Sequence, residues 1–167
     1  VRFNGFGIES IAQHFKKYGY EYGNEYFFKE KKLYAQHFSS KELNAPKIFI
    51  SEIILDDFSD KLKARVKAKL KQVPIGYFKE ETSLYSGSPW GKISRDDYLD
   101  IIDESEYAAW LLVFGFRANH FTINANLLKN FSDLIALNSY LKSNGIKLNE
   151  AGGEIKGGIN EYLEQSS

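Results

Sequence analysis

The same succession occurs twice in this sequence: an amphipathic helix, a glycine stop, and short segments rich in aromatic or β-branched residues. The first copy opens with "GIESIAQHFKKYGY", where Ile8, Ile11, Ala12 and Phe15 share one helical face and Gly19 supplies the stop. Three strand-like pieces follow, "YEYGNEYFFKE", "LYAQHFSS" and, after Pro46, "PKIFISEIIL". The second copy starts at "FGFRANHFTINAN", which reads as a strand. It continues with the helix "NFSDLIALNSYLKSNG", with Leu134, Leu137 and Leu141 on its buried side and Gly145 at its end. "IKLNEAGGEIKGG" then begins a further strand. Residues 1–6, "VRFNGF", read as the tail of a strand leading into the first helix.

This order predicts an α+β fold of paired βαβββ modules closing into a half-open barrel. Residues 1–55 form the first module, without its leading strand, and residues 114–167 the second, without its late strands. Residues 56–113 are a mainly helical insert. Within the insert, Phe58, Leu62, Val66 and Leu70 recur every fourth residue among lysines and an arginine, the pattern of an amphipathic helix. Ser94 is placed to cap a helix over "RDDYLDIIDESEYAAWLLV".

Composition removes several function classes. The 22 basic and 22 acidic side chains cancel, so no global field points to nucleic acid or an anionic membrane. The basic run of residues 61–71 reads as the solvated side of its helix, balanced by neighbouring acids. There is no cysteine, which removes disulfides, thiolate metal sites and a cysteine nucleophile, and fits a cytoplasmic protein. No apolar run approaches the roughly 20 residues of a membrane span. A chain that begins at Val1 and has no methionine reads as a piece of a longer protein.

Three histidines are present. His14 falls off the apolar face of its helix and reads as solvated. His37 sits mid-strand, where a pairing or surface role is expected. His120, in "FGFRANHFT", lies on the first strand of the second module. In a cup of paired modules, inward-facing strand residues converge on one ion. Two imidazoles and one carboxylate, with open positions for substrate and dioxygen, are typical of non-haem Fe(II) oxygenases. Only His120 stands where such a ligand is wanted, and one ligand cannot hold a metal. Glu52, in "FISEI", is a weaker candidate for the carboxylate, and a surface or supporting acid is its plainer reading. "GGEIKGG" lacks the spacing and the Lys-Ser/Thr pair of a phosphate loop and reads as a lid or tight strand start. "GSPWG" is not a nucleophile elbow.

The segments "WLLVFGFRANHFT", "IFISEI", "LNEAGGEIKGG" and "LEQSS", taken together and in this order, resemble the DUF1338 family. That family is related to the vicinal-oxygen-chelate, glyoxalase-like fold and includes 2-oxoadipate dioxygenase/decarboxylases. The resemblance implies an Fe(II) site of two histidines and a glutamate, with another divalent metal as an alternative. It matches His120 to the histidine of the family's "NHFT" motif. The second histidine belongs to an H-x-x-x-R motif. With Arg2 as its arginine, that histidine precedes Val1, and the glutamate follows Ser167. The implied partners are a small 2-oxo acid, 2-oxoadipate or one like it, and dioxygen, giving a 2-hydroxy acid and carbon dioxide. Arg2, and less directly Arg117, suit a substrate carboxylate, since guanidinium donates two parallel hydrogen bonds. Other chemistry on the same cup, as a metal-dependent lyase, isomerase or hydrolase, or a non-catalytic binding role, is the alternative.

Overall fold

A computed structural model describes residues 5–42, 44–151, 153–158 and 163–167 of the chain. Two compact units divide it, residues 1–119 and 120–167, and each is described by itself.

In the first unit, helix α1 (Ile8–Lys16) leads into a three-stranded antiparallel sheet in sequence order: β1 (Tyr20–Phe28), β2 (Leu33–Ser40) and β3 (Ile48–Ile53). This is the expected helix and three strands of the first module. Side chains alternate across the sheet because successive residues of a strand point to opposite faces. Tyr34, Phe38 and Ile50 are buried on one face with Ile8 and Ala12 of α1. Leu33 and Ile53, on the other face, join the larger core with the helices of the insert.

Those helices are α2 (Asp60–Leu70), α3 (Arg95–Ile102) and α4 (Glu106–Phe114). Phe58, Leu62, Val66 and Leu70 are all buried, as their four-residue spacing requires. The basic side of α2 faces acids on α3: Lys61 lies 3.1 Å from Asp100, and Arg65 pairs with both Asp97 and Asp100. Ser94 caps α3 as expected, its Oγ accepting from the Asp97 amide at 3.1 Å.

The helix expected to run on through residue 113 is instead two helices. Ser105 caps α4, accepting from the Ala108 amide at 3.1 Å. Glu104 is drawn away to Ser59, whose amide and hydroxyl both donate to its carboxylate at 2.7 Å. That double bond holds the Glu104 carboxyl below the usual carboxylate range, the hydroxyl donor contributing most.

The strand expected over residues 114–126 is also corrected. Phe114 ends α4, and the residues after Gly115 run without ladder bonds to a short 3-10 turn at Ala125–Leu127. Alternation of apolar and polar residues makes a segment eligible for a sheet, but a strand exists only where a neighbour supplies its ladder, and no described segment does so here.

The second unit contains α5 (Leu134–Ser143) and a hairpin of β4 (Lys156–Gly158) and β5 (Leu163–Gln165), paired antiparallel. Asp133 caps α5, accepting from the Ala136 amide at 2.8 Å. Leu134, Leu137 and Leu141 are half-buried, on the side expected, around a buried Asn138. Asn138 Oδ1 accepts from Ser166 Oγ at 2.9 Å, joining α5 to the end of the hairpin.

Candidate functional site

Of the residues singled out for chemistry, Arg2 lies outside the described residues. His120 is exposed at the start of the second unit. It is neither on a strand nor buried in a sheet face, contrary to the reading of it as an inward-facing strand ligand. Among the described residues, no group of three or more His, Cys, Asp or Glu side chains comes together as a metal site. Arg117 is exposed, its guanidinium carbon 4.8 Å from the centre of the Phe114 ring.

The segment carrying Arg117 is firmly held at its root. Gly115 leaves α4 with φ 76° and ψ −151°, a conformation essentially restricted to glycine. A Cβ there would lie 2.3 Å from the carbonyl oxygen of Gly87. Trp90 donates its indole N–H to the Leu112 carbonyl at 2.8 Å and meets Phe116 edge-on at 5.3 Å. Phe116 packs in turn against Phe78 at 4.8 Å and stacks on Phe6 at 6.3 Å. The "GSPWG" segment thus anchors the "FGFR" segment, and Phe6, four residues after Arg2, meets the residue before Arg117.

Glu52 has a different task from the ligand role considered for it. It is buried on the α1 side of β3, and its Oε2 accepts from the backbone N–H of Ile8 at 3.0 Å. Gly7, at the N-cap position, has no side chain to satisfy that donor, so the strand supplies the cap. Glu52→Ala should therefore lower stability by about 1–3 kcal/mol, the cost of leaving a buried donor unmet. Glu52→Gln, which keeps an acceptor oxygen, should cost less. Urea unfolding of the two variants checks this, and equal losses would remove the cap as the reason.

His14 corrects another expectation. It is buried, with Nε2 3.4 Å from the Ser83 hydroxyl. Gln13 donates to the Phe78 carbonyl at 3.0 Å and Tyr18 to Glu81 at 3.0 Å, so the loop of residues 78–83 covers the side of α1 that its own spacing left polar. His37 has the pairing role expected of a strand residue, standing between Asn24 and Phe49 on adjacent strands. In the glycine-rich segment, Lys156–Gly158 are strand β4 rather than a phosphate loop, and Gly152 lies outside the described residues.

Residues 4–167 match the sequence profile of 2-oxoadipate dioxygenase/decarboxylase. The chain belongs to this family. The family's curated members include a chloroplastic 2-oxoadipate dioxygenase/decarboxylase of Arabidopsis thaliana, 35% identical over 98% of this chain and 47% of that protein. A chloroplastic/amyloplastic counterpart from Oryza sativa subsp. japonica is 33% identical over 98% of this chain and 48% of its own length. The chain thus spans about half the length of these relatives.

Two solved structures carry the likeness into three dimensions. The hydroxyglutarate synthase of Oryza sativa, in complex with 2-oxoadipate, superposes with a TM-score of 0.88 at 32% identity, over 99% of this chain and 57% of that one. A protein from Shewanella frigidimarina NCIMB 400, provisionally described as a hydrolase, gives 0.92 at 38% identity, over 97% of this chain and 63% of that one. A glyoxalase-superfamily protein from Ralstonia eutropha JMP134, at 16% identity and a TM-score of 0.68, shares the fold, as the α+β reading required.

The family's members also correct the cytoplasmic expectation: both curated relatives are named as chloroplastic, one of them chloroplastic/amyloplastic. A lack of cysteine records that no disulfide is needed and carries no address.

Proposed function

We propose that the protein to which these residues belong is an oxygen-dependent 2-oxo acid decarboxylase. It converts 2-oxoadipate and dioxygen to 2-hydroxyglutarate and carbon dioxide. The observation that carries this reading is the likeness, along almost the whole chain, to a hydroxyglutarate synthase that binds 2-oxoadipate. The names of the relatives fit one balanced equation. A six-carbon 2-oxo diacid loses its C1 carboxylate as carbon dioxide, and the five-carbon product has gained both atoms of dioxygen. One becomes part of the new terminal carboxylate and the other the hydroxyl on the adjacent carbon.

Fe(II) is the metal we assign to this chemistry, with His120 as one of its ligands. The described residues do not fit such a centre by themselves, because His120 stands exposed with no second or third ligand gathered near it among them. What these residues supply is recognition: Arg117, and Arg2 with it, offer bidentate donors to a carboxylate of the substrate. The hydrolase description of the Shewanella relative favours a second reading, metal-assisted hydrolysis on the same fold.

The two readings part on oxygen. The full-length protein, given 2-oxoadipate and labelled dioxygen, should release carbon dioxide in step with oxygen uptake and place both labelled atoms in 2-hydroxyglutarate. Turnover of 2-oxoadipate with neither oxygen uptake nor 2-hydroxyglutarate among the products would replace this reading with the hydrolytic one.

A further inference from the structure

The sheet of the first unit has one feature that neither its packing nor the residues already discussed use. On the face opposite α1, the end carrying Leu33 and Ile53 is covered by the insert, while Tyr26, Phe28 and Phe49 remain 37%, 40% and 53% exposed. Tyr26 and Phe49 lie 5.4 Å apart between ring centres, and Phe28 and Phe49 lie 6.3 Å apart, so the three rings form one wall. His37 stands beside them, its Nδ1 3.1 Å from the Tyr26 hydroxyl.

The place of the imidazole is built for it. The ladder between β1 and β2 shifts register between Tyr22 and Asn24, and the residue at the shift is Gly23. A Cβ at Gly23 would lie 2.1 Å from His37 Nε2 and under 3 Å from two of the ring's carbons. The ring therefore occupies the space that any other residue at position 23 would fill. A mid-strand histidine needs no such allowance merely to face solvent.

We propose that Tyr26 is a specificity-determining residue that binds the distal carboxylate of a dicarboxylic 2-oxo acid, and that His37 positions it. This rests on the proposed function. When Nδ1–H of His37 donates to the phenol oxygen, the phenol O–H is turned outward and polarised, ready for an anionic acceptor. The wall of Phe28 and Phe49 suits the methylenes that separate the two carboxylates of such an acid, in the manner of ligand sites that set few polar groups among aromatic ones. Glu21, on the same face, is paired with Lys41 at 2.9 Å. Asn24 spends its side-chain oxygen on the Glu25 amide at 2.9 Å.

The experiment compares 2-oxoadipate with 2-oxohexanoate, which replaces the distal carboxylate by a methyl group, in the full-length protein. Calorimetric binding and kcat/KM are measured for each. Tyr26→Phe keeps the ring and removes one charge-assisted hydrogen bond, so affinity and kcat/KM for 2-oxoadipate should fall about 10- to 100-fold. The values for 2-oxohexanoate should stay unchanged. His37→Ala should reproduce much of that loss and His37→Gln, which keeps a donor, should restore part of it. Equal losses for the two acids, or no loss for either, would overturn the assignment. If the parent binds 2-oxoadipate without consuming oxygen and Tyr26→Phe still weakens binding, the site stands and the oxygenase reading falls. A parent that binds neither acid overturns both.

Discussion

Replacing His120 with alanine in the full-length protein is expected to abolish iron loading and turnover while leaving the melting temperature of the metal-free protein unchanged. The separation follows from where the residue sits. His120 is exposed and makes no side-chain hydrogen bond to another described residue, so its removal should alter stability by no more than about 0.5 kcal/mol. A ligand is a different matter. Groups that only support a metal ligand cost about 10- to 100-fold in affinity or activity when removed, and loss of a ligand itself should exceed that range. Metal analysis with a thermal melt decides the point. Unchanged iron content would sink the assignment, and a lower melting temperature of the metal-free variant against the metal-free parent would make His120 structural.

Gly115→Ala should be among the most damaging single-methyl additions to this chain. Its backbone conformation is one that residues with a Cβ almost never adopt, which alone costs on the order of 1–3 kcal/mol. The added carbon would also meet the Gly87 carbonyl, where the neighbour is backbone and cannot swing aside. Overpacking of this kind costs about 1–3 kcal/mol more. We expect a total loss of about 3 kcal/mol or more, and reduced binding of any substrate that Arg117 contacts. Gly145→Ala is the control, with φ 80° but open space around its Cβ. It should cost about 1–2 kcal/mol, for the left-handed backbone alone. Denaturant midpoints measured side by side check this, and equal losses would show that the Gly87 contact is not tight.

The contrast between these two glycines also shows what the sequence could disclose. Local pattern was enough for α1, the three strands of the first sheet, the register of α2 and the cap at Ser94, because each depends on neighbours within a turn or a strand. It was not enough where the partner lies far along the chain. Glu104 reads as a mid-helix acid until Ser59, 45 residues earlier, claims its carboxylate and the helix breaks. His14 reads as solvated until Ser83, 69 residues on, covers it. Glu52 resembles a strand-borne ligand and is a helix cap. Of the candidate site, the sequence offers the motif around His120 and nothing of its surroundings, since a ligand set is a property of folded distances. The Tyr26–His37 pair was missed for the same reason, although Gly23 inside an aromatic strand was a usable signal, a glycine there commonly marking a bulge or a close approach.

The cap at Glu52 bears on the order in which the protein is assembled. Helix α1 has nine residues, fewer than the roughly 12–15 at which an isolated helix becomes marginal in water. Its buried side needs Phe38 and Ile50, and its first turn needs a carboxylate 44 residues downstream. The entropy of closing that loop has to be met before the contact returns anything. During synthesis α1 therefore leaves the ribosome before its own sheet and is secured only after β3 has joined the ladder. Interactions made that late are absent from the rate-limiting barrier, so loss of the cap through Glu52→Ala should hasten unfolding far more than it slows folding. Helix α1 is in this sense a clasp, closed by the last strand of the sheet that follows it.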